Sequence, residues 1–259
     1  MYYRESGNTD EKTIVFLHGG GISGWMWDRQ TAHFTDYHCI VPDLPEHGRS
    51  MMESPLSIED CAKKIASLIR ERAKGRKAHL IGHSLGAKII VEMLARSPEV
   101  IDRAVIVSAL FRPIPMMRAL CNGPSYRLAV WMLKSKKVLA YTARQFGFTD
   151  PEDADRLTED FSGLTVDSLD HIYGELFAHL RLPDISRADA PSLVIAGEKE
   201  PRAMRKSVRD IAGVLPVGKG ILFKDAGHDI PWRADEAFNR TVREWIENRE
   251  MTSDRVRPV

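Results

Sequence analysis

Short, continuously apolar runs alternate along this chain with longer stretches whose apolar positions recur at helical spacing. The runs Thr13–Leu17, His38–Val41, His79–Ile81, Ala104–Val107, Leu193–Ala196 and Ile221–Phe223 show no polar alternation. Such runs suit strands covered on both faces, as in a parallel sheet with helices above and below. Between two of them, Ile58, Cys61, Ile65, Leu68 and Ile69 fall on one helical face, with Ser57 ahead and Gly75 behind. That pattern predicts an amphipathic helix with a capped start. Similar spacing predicts helices over about 24–34, 84–97, 203–214 and 233–248. Strand–helix alternation implies right-handed crossovers, hence an α/β fold with a mostly parallel sheet flanked by helices.

The alternation stops between about 111 and 188, where the chain turns helical and rich in Met and aromatic residues such as Met116, Tyr126, Trp131, Phe148 and Tyr173. An insertion of this size within a sheet domain is expected to form a helical lid, 111–188, on a core made of 1–110 and 189–250. Residues 251–259 read as a frayed polar tail.

The chain has 259 residues, 43% of them apolar, enough for a sizeable core. Its 37 basic and 36 acidic residues leave a net charge of +1, which gives no general pull towards nucleic acid. The start MYYRESGNTDEK has no apolar leader, and no uninterrupted apolar stretch is long enough to span a bilayer, so no membrane insertion is expected. Cys39, Cys61 and Cys121 are widely spaced and odd in number, which argues against a disulfide scaffold or a Cys-based metal site and for a cytoplasmic protein.

Two glycine-rich turns carry candidate chemistry. Gly82-His-Ser84-Leu-Gly86 directly follows one apolar run and precedes a helical pattern (Ile89, Ile90, Met93, Leu94). In a strand–turn–helix setting, G-x-S-x-G holds its serine in a strained, exposed position, with the helix N-terminus favouring developing negative charge. His18-Gly-Gly-Gly21 follows another strand, and successive glycines let backbone N–H groups approach a reacting oxygen unobstructed.

Together with Gly227-His228 after the last strand, these motifs resemble the α/β-hydrolase fold, in the serine-nucleophile, esterase- or lipase-like branch with an HGGG oxyanion loop. Asp43-Leu-Pro-Glu-His47-Gly-Arg-Ser50 likewise resembles that family's D-x-P-x-H-G-x-S loop, and the likeness spans about residues 2–248. It implies a lid inserted after strand six. Because Tyr2–Glu5 aligns with the family's second strand, it also implies a sheet lacking its first strand.

The resemblance further implies Ser84 as nucleophile, His228 as general base and an acid in the loop after Ala196. That loop offers two carboxylates. Glu200 stands at the family's third position past Gly197, although one methylene longer than the usual aspartate, and Glu198 is the alternative. Pro201 biases Glu200 towards an extended backbone. Gly20 and Leu85 are the implied oxyanion donors. The expected activity is hydrolysis of small-molecule carboxylic esters through an acyl-enzyme on Ser84, without metal or organic cofactor. The same triad also serves C–C, thioester or lyase chemistry, and a non-catalytic ligand-binding member is the other class. Trp25, Arg112 and Trp131 are candidate substrate-pocket residues. Residues 111–149 carry bases but no carboxylate, whereas 150–184 carry ten carboxylates. Either the basic half attracts an anionic substrate, or the halves face each other or are solvated. Oligomeric state is left open.

Overall fold

The protein is described here from a computed structural model covering residues 1–53, 55–148 and 150–259; Ser54 and Thr149 lie outside the described residues. Among the described residues, eight strands form one sheet in the order β1-β3-β2-β4-β5-β6-β7-β8. These are β1 (Tyr3–Gly7), β2 (Thr13–Leu17), β3 (His38–Pro42), β4 (Ala78–His83), β5 (Ile101–Val107), β6 (Ser192–Gly197), β7 (Gly218–Phe223) and β8 (Val256–Pro258). The six inner strands run parallel, and the edge strands β1 and β8 are antiparallel to their neighbours.

The continuous apolar runs follow from coverage of both faces. On β2, Val15 and Leu17 join one core cluster while Ile14 and Phe16 join the other, so every residue of the strand is buried. One face is covered by α2 (Ile58–Arg72), α3 (Leu85–Arg96) and α9 (Arg202–Val214). The other is covered by Met26, Trp27 and Phe34, which flank α1 (Asp28–His33), and by α10 (Ile230–Arg233) and α11 (Asp235–Ile246). Helix α2 buries the predicted face through Ile58, Cys61, Ile65, Leu68 and Ile69, and Ser57 caps its start by accepting from the Asp60 N–H.

The segment between β5 and β6 is helical: α4 (Pro115–Leu120), α5 (Gly123–Met132), α6 (Lys136–Gln145), α7 (Pro151–Gly163) and α8 (Val166–Ala178). Its later part is tied to the core by polar contacts. Asp160 accepts from the Ser23 N–H at 2.8 Å and the Trp25 indole at 2.7 Å, and Glu175 accepts from the Ile58 N–H at 2.6 Å. His171 meets Glu46 at 2.7 Å.

The tail corrects one expectation. Val256–Pro258 is not frayed but pairs along Ile221–Phe223 as β8, and Arg257 anchors it by an ion pair with Glu198 at 2.7 Å. The sheet thus has eight strands although β1, antiparallel at the other edge, has no strand outside it.

Candidate active site

The carboxyl ends of β2, β4, β5, β6 and β7 deliver every polar group of the site to one edge of the sheet, the position open α/β sheets use for ligands. Ser84 is the single residue between β4 and α3, with φ 52° and ψ −105°, a conformation few non-glycine residues adopt. The turn is locked by bonds from the Ser84 N–H to Val107 O at 2.8 Å and from the Gly86 N–H to His18 O at 3.0 Å. Its glycines are sterically required. A Cβ on Gly86 would lie 2.3 Å from Leu17 O, and one on Gly82 would lie 2.6 Å from the Gly86 backbone.

The His18–Gly21 loop is fixed from behind by two buried imidazoles. His18 Nδ1 donates to Gly19 O at 2.8 Å while its Nε2 accepts from the Leu44 N–H at 2.8 Å. His47 Nδ1 donates to Pro45 O at 2.9 Å while its Nε2 accepts from the Gly21 N–H at 2.9 Å. Each ring therefore uses one nitrogen as donor and the other as acceptor, the pattern of a neutral imidazole. Burial pulls their pKa values down to about 4 and about 3 respectively, which keeps both neutral. Asp43 completes the frame by accepting from the Gly24 and Arg49 N–H groups, both at 2.9 Å.

Glu200 and His228 meet across the ends of β6 and β7. Glu200 Oε1 lies 2.6 Å from His228 Nδ1, and Oε2 accepts from the Gly197 N–H at 2.7 Å and from the Ser108 hydroxyl at 3.0 Å. The carboxylate is 1% exposed, whereas the imidazole is 42% exposed and faces the cavity. Two contacts bring the loops together: Lys199 N–H donates to Ala226 O at 2.8 Å, and Gly197 packs so closely that a Cβ would lie 2.3 Å from Gly227 O. His83, beside the serine, packs beneath the turn and bonds through Nε2 to His228 O at 2.8 Å. Burial holds its pKa well below the usual histidine value, so it serves as a neutral donor.

A cavity of about 720 Å³ opens onto these groups, bordered by Gly19, Gly20, Ser84, Glu200 and His228 and walled by apolar residues of the helical segment such as Met117, Leu169 and Ile172. That volume suits a small organic substrate. Among the described residues, no group of His, Cys, Asp and Glu side chains is arranged to hold a metal ion.

The alpha/beta hydrolase family matches residues 14–241. The chain belongs to that family. The (E)-2-((N-methylformamido)methylene)succinate hydrolase of Acinetobacter baylyi is 23% identical over 255 residues, covering 95% of this chain and 94% of that protein. An AB hydrolase superfamily protein of Gibberella zeae is 32% identical over 108 residues, covering 41% of this chain and 38% of that protein. Among solved structures, MGS-M2, an alpha/beta hydrolase enzyme from a Medee basin deep-sea metagenome library, superposes with a TM-score of 0.75 at 17% identity, covering 98% of this chain and 96% of that one. The relatives' names span several chemistries, so the family membership fixes the fold and supports a hydrolase.

Three substrate-pocket expectations are corrected. Trp25 does not border the cavity, because its indole N–H is held by Asp160 and its ring packs on Phe148 at 5.1 Å. Arg112 turns away from it into a two-bond pair with Asp210 of α9, at 2.5 and 2.7 Å. Trp131 is 69% exposed on the outer face of α5, whose inner face presents Tyr126 and Ala129 to the cavity instead. Nor do the charged halves of the insertion face each other. Arg118, Arg127, Lys134, Lys136, Lys137 and Arg144 are exposed, and so are Asp150, Glu152, Asp155, Glu159, Asp167, Asp170 and Asp184; only Asp153, Asp160 and Glu175 of the acidic half are partly buried, Asp153 meeting Arg29 at 3.2 Å. Ser108, which holds the second oxygen of Glu200, escaped the sequence reading because a lone serine after a strand carries no signal. Its φ of 58° is visible only in the structure.

Proposed function

We propose that this protein is a serine hydrolase that cleaves carboxylic esters, with Ser84, His228 and Glu200 as its triad. The observation that carries the reading is the buried Glu200 carboxylate 2.6 Å from His228 Nδ1, with its other oxygen held by two donors. Such a carboxylate keeps the proton on Nδ1 and leaves Nε2 free to act as base. Ser84 Oγ attacks the ester carbonyl carbon while its proton passes to His228 Nε2. The resulting oxyanion is held by the backbone N–H groups of Leu85 and Gly20. Leu85 is the first residue of α3, so its N–H has no intrahelical acceptor. The imidazolium then protonates the departing alcohol, leaving an acyl-enzyme. Water, deprotonated by the same nitrogen, releases the acid and restores Ser84.

The 115–178 helices act as a lid in this scheme: they wall the acyl cavity but contribute no reacting group. The presence of all three triad members speaks against a ligand-binding member that has lost catalysis. With three free cysteines, two of them buried, we place the enzyme in the cytoplasm. The test is turnover across esters of graded acyl length, with thioesters and a vinylogous 1,5-diketone included. Ester cleavage as the dominant activity supports the proposal, and preferred C–C or thioester cleavage overturns it.

A further inference from the structure

One ionisable group in the cavity wall has no part in that scheme. Lys88 sits one helical turn past Ser84 on α3, its N–H bonded to Ser84 O at 3.1 Å, and is 2% exposed. Its ammonium donates to Leu110 O at 2.7 Å and His179 O at 2.6 Å, and lies 4.4 Å from the centre of the Phe111 ring. Leu110 and His179 flank the helical segment, so the ammonium is pinned where that segment leaves and rejoins the core. Two of its three N–H bonds are thereby used. The third remains for the cavity that Lys88 borders.

A buried ammonium is costly unless paired, and among the described residues no carboxylate forms an ion pair with this one. Burial pulls its pKa down to about 7, the direction expected of a cation without a counter-ion. The carboxylate that borders the cavity, Glu200, is already held by His228, Gly197 and Ser108. The other lysine at the cavity, Lys199, is 66% exposed and lies 3.8 Å from Asp225, so it is not a desolvated site.

We propose that Lys88 is the anchor for an anionic end of the substrate, a carboxylate on the acyl part, which accepts the third N–H and supplies the missing counter-charge. The proposal rests on the ester-hydrolase reading and narrows its substrate class to half-esters of dicarboxylic acids or their equivalents. Ser84 and Lys88 stand four residues apart, about 6 Å of rise between their Cα atoms, and border the same cavity, so one substrate can span both groups.

The experiment compares methyl half-esters of dicarboxylic acids, from succinate to sebacate, with the corresponding dimethyl esters, on the full-length protein. For at least one length, wild type is expected to favour the half-ester by tenfold or more in kcat/KM, mainly through KM. Lys88→Met is expected to lower that preference at least tenfold, and Lys88→Arg to retain part of it. A preference of wild type for the diester at every length, or an undiminished half-ester preference in Lys88→Met, overturns the proposal. A binding arm separates this outcome from failure of the ester-hydrolase reading. The free dicarboxylate of the favoured length should raise the Tm of wild type more than the monocarboxylate of equal length does, and that difference should vanish in Lys88→Met. If no ester is turned over, lengths from succinate to sebacate are screened in the same way, and an equal rise from both acids at every length overturns the anchor. Should Lys88→Met not fold, the wild-type preferences alone decide.

Discussion

Replacing Glu200 by Gln separates charge and tautomer control from packing. The two side chains have the same length, so the Gln oxygen can still accept from the Gly197 N–H and the Ser108 hydroxyl, now at 2.7 and 3.0 Å from Oε2. What then faces His228 Nδ1, at the present 2.6 Å contact, is an amide N–H donor instead of a carboxylate acceptor. The imidazole must present a lone pair there and carry its proton on Nε2, where it can no longer take the Ser84 proton. By analogy with triads elsewhere, kcat should fall by up to about 10⁴, equivalent to about 5.5 kcal/mol of barrier. KM should change little, since Glu200 reaches the substrate only through His228. Stability should drop by about 1–3 kcal/mol, because one charge-assisted bond is lost in a buried place. The assay is steady-state hydrolysis of a neutral activated ester, with circular dichroism to establish folding. Glu198→Gln is the control: Glu198 pairs with Arg257 at 2.7 Å on the surface, and its loss should leave kcat within about twofold. A Glu200→Gln enzyme within tenfold of wild type would refute the reasoning, and a crippled Glu198→Gln would transfer the role.

Other expectations follow from the same contacts. Burial lifts the Asp160 carboxyl to about 6 from its ordinary 3.8, so the folded state holds that proton more tightly than the unfolded chain does. The resulting stabilisation is full below about pH 4 and is lost as pH rises through 6, about 3 kcal/mol in all. Asp160→Asn should keep both bonds now made to Oδ2 and flatten this part of the stability–pH curve in urea titrations; an unchanged slope would contradict it. Gly86→Ala should cost at least about 2 kcal/mol by forcing α3 away from Leu17, and an unchanged urea midpoint would show that the turn has slack. Trp131→Ala should leave the ranking of acyl lengths as it is, whereas Ile172→Ala, at the cavity wall 3.0 Å from the Gly20 Cβ position, should shift it towards bulkier acyl groups.

What was legible in the sequence was what depends on backbone order. Continuous runs such as Ile14–Leu17 announce a sheet covered on both faces, and Gly82–Gly86 announces a tight strand-to-helix turn, because these patterns have few other uses. Glu200 could be favoured over Glu198 from its place in the loop, and the structure separates them cleanly: one points inward to His228, the other outward to Arg257. Side-chain direction in the helical insertion was not legible. Helix α5 carries Leu128 and Trp131 on its exposed side and Tyr126 and Ala129 towards the cavity, so apolar character does not mark the inner face. Arg112 read as a substrate ligand because its partner, Asp210, is 98 positions away. The β8 strand was missed because three residues with one apolar side chain hold no periodicity, and their order comes from the open edge of β7. Lys88 was invisible as a cavity group, lying within an ordinary helical pattern.

The central claim, that Ser84 is a nucleophile activated by His228, is tested most directly by an organophosphonate probe read out by peptide mass spectrometry. Folded wild type should be modified stoichiometrically on the peptide carrying Ser84, and both Ser84→Ala and His228→Ala should remain unlabelled, since an unassisted hydroxyl is a weak nucleophile. Labelling that persists in Ser84→Ala, or a folded wild-type protein that takes up no probe, would contradict the account.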